Sequence, residues 1–174
     1  MRLMTDSPLF PDLPDEARCW IYTAAEPIDP STQEAMLEQV DAFLEGWASH
    51  QHPVRGAATV LYDRFLVLAA TLEGEGDISG CGIDASTHAI DEAAETLGIE
   101  WAPALHVVYK RADGTVATLP RSAFRKHVQR GDVTAETPVF DPSVTELGAV
   151  RAGAFEKPAA ASWHARVFDI AEPA

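Results

Sequence analysis

The chain is poor in cysteine and has no long apolar run. Its 174 residues include two cysteines, Cys19 and Cys81, too few for a disulfide framework or a zinc site made of cysteines alone. The longest uninterrupted apolar run, residues 65–70, is far shorter than the roughly 20 residues of a membrane-spanning helix. The first 16 residues hold acidic residues and three prolines where a secretory signal has an apolar stretch. We therefore expect one cytoplasmic domain without a membrane partner.

Positive charge is also scarce. The chain has 27 acidic and 13 basic residues, a net charge of -14, and its first hundred residues hold 19 of the acidic and 4 of the basic ones. Because nucleic acids and anionic lipids are bound through lysine and arginine, this balance argues against either partner. Carboxylates dispersed in this way are typical of a halophilic protein, whose salty surroundings screen their mutual repulsion.

The order of apolar patterns predicts an α+β fold. Residues 19–23 have strand composition. Helical periodicity follows, from a cap at Asp29 or Ser31 to a stop at Pro53. The remaining elements are a hairpin at 57–72, a glycine-rich loop, a helix at 85–97 capped by Asp84 or Ser86, and a strand pair at 105–119. This order, βαββαβ, is the pattern called ferredoxin-like, in which the first and third strands are central.

The third predicted strand, residues 65–70, places a further constraint on the fold. Residues 65–70 do not alternate between apolar and polar, so both faces of this strand should be buried. We expect a proline-rich lead at 1–16, a ferredoxin-like core at 17–119, and a C-terminal extension at 120–174 that covers or extends the sheet. All three parts would form one domain.

Four blocks of sequence resemble a known family. ARCWIYTA, WASHQHPVRGAATVLYDRFLVLAA, SGCGIDASTHAI and ASWHARVF, within residues 17–168, look like an uncharacterised bacterial family of about this length, often named automatically "ABC transporter ATPase". Members usually have serine where this chain has Gly82, and the resemblance implies no mechanism. A P-loop places its lysine after a glycine, and none of the three lysines here does so. The ATPase name therefore has no support in the motifs.

Cys81 is the candidate nucleophile. It lies in SGCG, just ahead of the predicted helix start, where the helix dipole favours a thiolate. Asp84 opposes this effect through its negative charge. A nucleophile also needs a base, and His88 and His164 are the candidates. One hypothesis is therefore an enzyme that uses Cys81 with one of these histidines.

The leading hypothesis is a binding domain for a small anionic ligand at the loop of residues 74–86. Its candidate binding residues are Gly80, Gly82, Asp84 and Ser86, which have little bulk or offer polar groups near a helix start. A third hypothesis is a structural protein that dimerises through its sheet, so both a monomer and a homodimer stay open. No metal site or cofactor is expected, because no histidine pair has a recognised zinc spacing.

Three further groups of residues receive structural interpretations. His106 is expected in a strand, buried with its hydrogen bonds satisfied. The basic residues between Arg121 and Arg130 are expected to pair with the acidic first half of the chain. Asp63 and Arg64 are interpreted as a local charge pair in the hairpin turn.

The charge pattern leads to a prediction about salt. Raising potassium chloride from low to molar concentration should raise the melting temperature, because ions screen the repulsion among the dispersed carboxylates. Thermal unfolding followed by circular dichroism measures this. A melting temperature that stays flat or falls would contradict a halophilic protein.

Overall fold

The computed structural model describes residues 8–172 and shows four layers. Two antiparallel four-stranded sheets pack face to face, with helices on both outer sides. The elements are β1 (Arg18–Thr23), α1 (Pro30–Glu45), β2 (Ala48–Ser49), β3 (His52–Leu61), β4 (Phe65–Leu72), α2 (Gly80–Leu97), β5 (Val107–Lys110), β6 (Val116–Leu119), α3 (Arg121–Arg130), β7 (Pro138–Phe140), α4 (Leu147–Arg151), β8 (Glu156–Pro158), a 3-10 turn (Ala159–Ala161) and α5 (Trp163–Val167). The α+β class is confirmed.

Strand β4 lies inside the first sheet, whose order is β1-β4-β3-β2. Residues 65–70 are all fully buried, as their apolar run predicts. Leu66 and Leu68 face α1 and α2, whereas Phe65 and Val67 face the second sheet. Successive side chains of a strand point to opposite faces, so β4 contributes to two cores at once.

The second sheet covers the face of the first sheet that α1 and α2 leave open. Its order is β6-β5-β7-β8. Val108, Phe140 and Phe155 pack against Phe65, while the opposite face of this sheet packs against Phe124 of α3. The predicted cover therefore exists, but it takes strands from both sides of residue 120. The division of the chain at that position stays a prediction.

The ferredoxin-like strand order holds for the first three predicted strands and fails for the fourth. In that order β1 would be central and paired with the strand after α2, whereas here β1 is an edge strand and β5 belongs to the second sheet. The chain after α2 makes a single bridge to β1, between Trp101 and Ala24. A turn follows in which the N–H of His106 donates to the carbonyl of Pro103. Because this turn ends the pairing after one bridge, the chain passes on to the second sheet.

Both long helices differ from the prediction at one end. Helix α1 is capped by Asp29, one of the two expected caps, but it ends at Glu45, and Pro53 lies in β3. Helix α2 begins at Gly80 with Ser79 as its cap, five residues before the expected start. Its C-cap, Gly98, has a left-handed conformation with φ 72°, as glycine allows. Gly80, Cys81 and Gly82 are therefore helical.

The described part of the N-terminal lead, residues 8–16, is held by α4. The Arg151 guanidinium donates to the carbonyls of Leu9, Phe10 and Leu13 and pairs with Asp15 at 2.7 Å. Residues 1–7 of the lead and residues 173–174 of the extension lie outside the described residues. Within 8–172, no helix combines the length and apolarity that crossing a bilayer requires.

Arg64 connects the two sheets, and its interpretation as a turn residue is wrong. It is buried and donates to the carbonyls of Ala24, Ala25 and Val116, the last of these in β6. Burial lowers its pKa. Asp63 instead accepts a hydrogen bond from Gln33 of α1. The charge pair expected in the hairpin turn is replaced by a buried guanidinium that satisfies three carbonyls.

This contact predicts a large loss of stability on substitution. Arg64→Met should lower the free energy of unfolding by about 3 kcal/mol, because three carbonyls lose a charged donor. Urea denaturation measures the change. Arg55→Met, at an exposed position in β3, is the matched control and should cost less than about 0.5 kcal/mol. Equal effects of the two substitutions would show that Arg64 does not hold the sheets together.

Candidate functional site

A cavity of about 530 Å³ lies between the free edge of the first sheet and one end of the second. Its walls come from residues 21–23 of β1, residues 101–108 in the connection and the start of β5, Arg121 of α3, residues 140–143 at the end of β7 and just after it, and Trp163 and His164 of α5. Cavities of this size are typical of small-molecule sites. The cavity exists because β1 is left at an edge and the connection 101–108 leaves it after one bridge.

His164 is the most buried polar residue of the cavity wall. Its side chain is 1% exposed, stacks on Trp163 with ring centroids 3.8 Å apart, and meets the edge of Phe124 at 6.1 Å. Ser162 caps α5 by accepting the backbone N–H of His164 at 3.1 Å. These contacts fix the orientation of the imidazole ring.

The two ring nitrogens of His164 differ. Nδ1 is hydrogen-bonded to Ser162 Oγ, whereas Nε2 has no hydrogen-bond partner among the described residues. Because Ser162 Oγ already accepts a backbone N–H, its hydroxyl proton is free to be donated to Nδ1. A neutral imidazole that accepts at Nδ1 carries its proton on Nε2. Nε2 is then a buried donor without an acceptor.

The charge state of His164 follows from its burial. Its pKa is lowered from 6.5 to about 4, mainly because burial removes its hydration; Asp141 opposes this shift, and the positive charges of Lys157 and Arg121 add to it. Burial disfavours the charged imidazolium because that ion loses its hydration. His164 is therefore neutral at physiological pH.

His106, which also lines the cavity, has a second unpaired ring nitrogen. Its Nδ1 is buried and has no partner within residues 8–172, which contradicts the expectation of a satisfied histidine. The residue precedes β5 and belongs to the turn that begins at Pro103. Buried polar atoms without a partner are rare in folded proteins, so two of them on one cavity indicate a site for a polar ligand.

Arg121 is the cation of the cavity wall. It is exposed, lies over the Trp163 ring at 5.9 Å, and takes part in no ion pair among the described residues. The same is true of Arg125, which lies over Phe168 at 5.3 Å. The expected pairing of this basic cluster with the acidic first half is thus absent from the described ion pairs. Asp141, the acid of the cavity, accepts the backbone N–H of Ser143.

The structure does not bring the predicted catalytic residues together. Cys81 and His88 are exposed on α2, which packs on one face of the first sheet, whereas His164 packs against Phe124 beyond the second sheet. Cys81 and His88 are also seven residues apart on one helix, about 10 Å along its axis. Neither histidine is hydrogen-bonded to Cys81 among the described contacts. A reactive Cys81 stays a prediction, and only His164 lines the cavity.

The predicted binding residues around the start of α2 have structural contacts or face solvent. Gly82 is buried where α2 approaches β2, and its carbonyl accepts the indole N–H of Trp47 at 3.0 Å. Ser86 donates to the carbonyl of Ile83, within its own helix. Gly80 and Asp84 are exposed. None of the four lines the cavity at His164.

Sequence reasoning singled out His164 but not its surroundings. The site depends on His106, Arg121 and Trp163, which come together only through the second sheet. The local motif Ser-x-His at 162–164 was the available signal, because serine at a helix start caps the chain beside the histidine. No cluster of three or more histidine, cysteine, aspartate or glutamate side chains within 8–172 is placed to hold a metal ion.

The low pKa of His164 predicts a pH-dependent stability. Its pKa is about 4 in the fold and near 6.5 in the unfolded chain. Its contribution is therefore complete above pH 6.5 and is lost as the pH falls toward 4, by at most about 1.4 kcal/mol per pH unit. Urea denaturation between pH 4 and 8 should show a stability difference between wild type and His164→Gln that becomes smaller as the pH falls from 6.5 toward 4. His88→Gln, at an exposed histidine, is the matched control, and a difference for His164→Gln that does not change with pH would contradict the burial of a neutral imidazole.

Comparison of the chain with models of protein families, with curated proteins and with solved structures found no match. The family resemblance of the four sequence blocks stays a prediction, and the function has to be argued from the cavity itself.

Proposed function

We propose that the protein binds a small organic anion, a carboxylate with an apolar body, in the cavity at His164. One observation carries the proposal: His164, which is 1% exposed, lines the cavity, and its buried Nε2 has no partner among the described residues. Leaving such a group unpaired costs about 1–3 kcal/mol. An oxygen of a bound ligand would remove this cost.

The charges around the cavity favour an anion. The cavity wall carries Arg121 and Asp141, and Lys157 adds a second positive charge near His164. Asp141 already accepts a hydrogen bond from Ser143, whereas the side chain of Arg121 contacts the Trp163 ring and has no hydrogen bond or ion pair within residues 8–172. The guanidinium is therefore available to a carboxylate, which it can bind through two parallel hydrogen bonds.

The remaining walls favour an apolar body. Leu105 is 71% exposed and Trp163 is 37% exposed, and both line the cavity together with Trp101. Large apolar side chains at such exposure lose unfavourable contact with water when a ligand covers them. A carboxylate with an aromatic or branched apolar group fits these walls.

This proposal keeps the leading hypothesis from the sequence, a binding protein for a small anion, and moves the site away from residues 74–86. No contact among the described residues favours the enzyme that uses Cys81. We also propose a cytoplasmic protein of bacterial type without a nucleic-acid partner, as a monomer or homodimer. The two free cysteines are typical of a reducing compartment, and the net charge of -14 disfavours phosphate backbones.

Phenylacetate is a suitable probe of the site, with neutral phenylacetamide as its matched ligand control. Titration followed by tryptophan fluorescence should show binding of phenylacetate to the wild type, because Trp101 and Trp163 line the cavity. Arg121→Gln should weaken this binding about tenfold, the equivalent of one charge-assisted hydrogen bond. Phenylacetamide should bind weakly to both proteins.

Arg125→Gln is the matched control for this substitution. Arg125 lies one turn from Arg121 on α3 and also stacks on an aromatic ring, but it is outside the cavity wall. It should leave the affinity for phenylacetate unchanged. The proposal fails if phenylacetate and phenylacetamide bind the wild type equally, or if the two substitutions weaken binding to the same extent.

A further inference from the structure

The outer edge of β1 is only partly occupied. Backbone groups of alternate residues in an edge strand point away from the sheet, and in β1 these are the odd-numbered residues. The N–H of Cys19 donates to the carbonyl of Thr145, and the carbonyl of Thr23 accepts the N–H of Ala102. Between them, the N–H and carbonyl of Ile21 have no outward partner among the described residues.

The two short segments that flank this edge leave a gap between them. Residues 145–147 bond to Ala17 and Cys19 at one end, and residues 100–102 bond to Thr23 and Ala25 at the other. Thr23 lies four positions after Cys19, a distance of about 14 Å in an extended strand. This gap admits about three residues of an added strand.

The gap opens into the cavity at His164. Ile21, Tyr22 and Thr23 all line that cavity. Consecutive side chains point to opposite faces of a sheet. Ile21 packs toward the second sheet, and Tyr22 contacts Trp101 on the other side. A cavity that touches all three residues therefore meets β1 at its edge, where the free N–H and carbonyl of Ile21 lie.

We propose that the ligand is a short peptide with a free α-carboxylate, added as a strand to the edge of β1. This inference rests on the proposed function, because it places the carboxylate at Nε2 of His164 and at Arg121. One residue of the peptide exchanges two hydrogen bonds with Ile21, as directly opposed residues do in an antiparallel pair. A simple carboxylic acid satisfies the histidine but leaves Ile21 unpaired.

Charge complementarity favours this occupant over a second copy of the chain. The protein has a net charge of -14, so two copies repel each other, whereas the cavity wall carries Arg121 beside Asp141, and Lys157 adds a second positive charge near His164. A short peptide with one carboxylate and apolar side chains matches that wall and the exposed faces of Leu105 and Trp163. Pairing of two copies through the edge of β1 is one of the results by which the test would overturn the proposal.

The test uses the full-length, ¹⁵N-labelled protein and the peptide N-acetyl-Ala-Phe. Binding should shift the Ile21 amide proton downfield and slow its hydrogen exchange at least tenfold, because that N–H gains an acceptor. The Trp20 amide, which faces β4 inside the sheet, should keep its exchange rate. The peptide should bind at least tenfold more tightly than 3-phenylpropanoate, which has the same carboxylate and ring but no amide.

Two altered peptides separate the contribution of the backbone hydrogen bonds from that of the carboxylate. Methylation of both amide nitrogens should remove the gain over 3-phenylpropanoate, since a methylated nitrogen cannot donate to the carbonyl of Ile21. Replacement of the terminal carboxylate by an amide should weaken binding to the wild type, and Arg121→Gln should have little further effect on that amide.

The outcomes distinguish this inference from the proposed function. If 3-phenylpropanoate binds and perturbs His164 while N-acetyl-Ala-Phe leaves the Ile21 amide unchanged, the peptide inference is wrong and the carboxylate site stands. If neither compound binds, both proposals are wrong. If the Ile21 amide becomes protected as protein concentration rises without peptide, a second copy occupies the edge, and the inference is overturned.

Discussion

The burial of β4 on both of its faces is the constraint on which the structure depends. Residues 65–70 are fully buried, so an apolar layer must lie on each side of the first sheet. Helices α1 and α2 supply one layer and the second sheet supplies the other. Arg64, immediately before this strand, ties β6 to the segment after β1 through three carbonyls. Hydrophobic burial holds the two sheets together, and the hydrogen bonds of Arg64 fix the position of β6 relative to the first sheet.

The cavity is a consequence of this arrangement. Because the strand after α2 goes to the second sheet, β1 is left without a neighbour along part of its edge. Residues 101–108, which run from the bridge beside β1 to the second sheet, and helix α5, which carries His164, enclose the space beside that edge. One feature of the topology thus produces an open strand edge, a buried histidine with a free nitrogen and a cation on an aromatic ring in one place.

Local patterns in the sequence predicted the local elements well. The strand at β1, the hairpin of β3 and β4, the burial of residues 65–70 and the stop of α2 at Gly98 all follow from periodicity and glycine. The fourth predicted strand was placed in the wrong sheet because the βαββαβ order of elements does not say which strands pair, and one turn at Pro103 directs it to the second sheet. The start of α2 was placed too late because glycine disfavours helices in general, while Gly82 lies where α2 packs closely, and an added Cβ would meet Ile78 at 2.9 Å and Ser49 at 3.3 Å. His164 was found for its chemistry, but its partners came from distant segments that no local pattern connects.

The central claim is that His164 presents a neutral, proton-carrying Nε2 to a bound anion. Long-range ¹H–¹⁵N spectra of the histidine rings measure this directly, before and after addition of phenylacetate at pH 5.5. The account predicts that His164 is neutral at this pH with its proton on Nε2, and that phenylacetate shifts this nitrogen while the exposed His88 ring is unchanged. A His164 ring that is already protonated at pH 5.5, or an Nε2 signal that does not respond to phenylacetate, would contradict it.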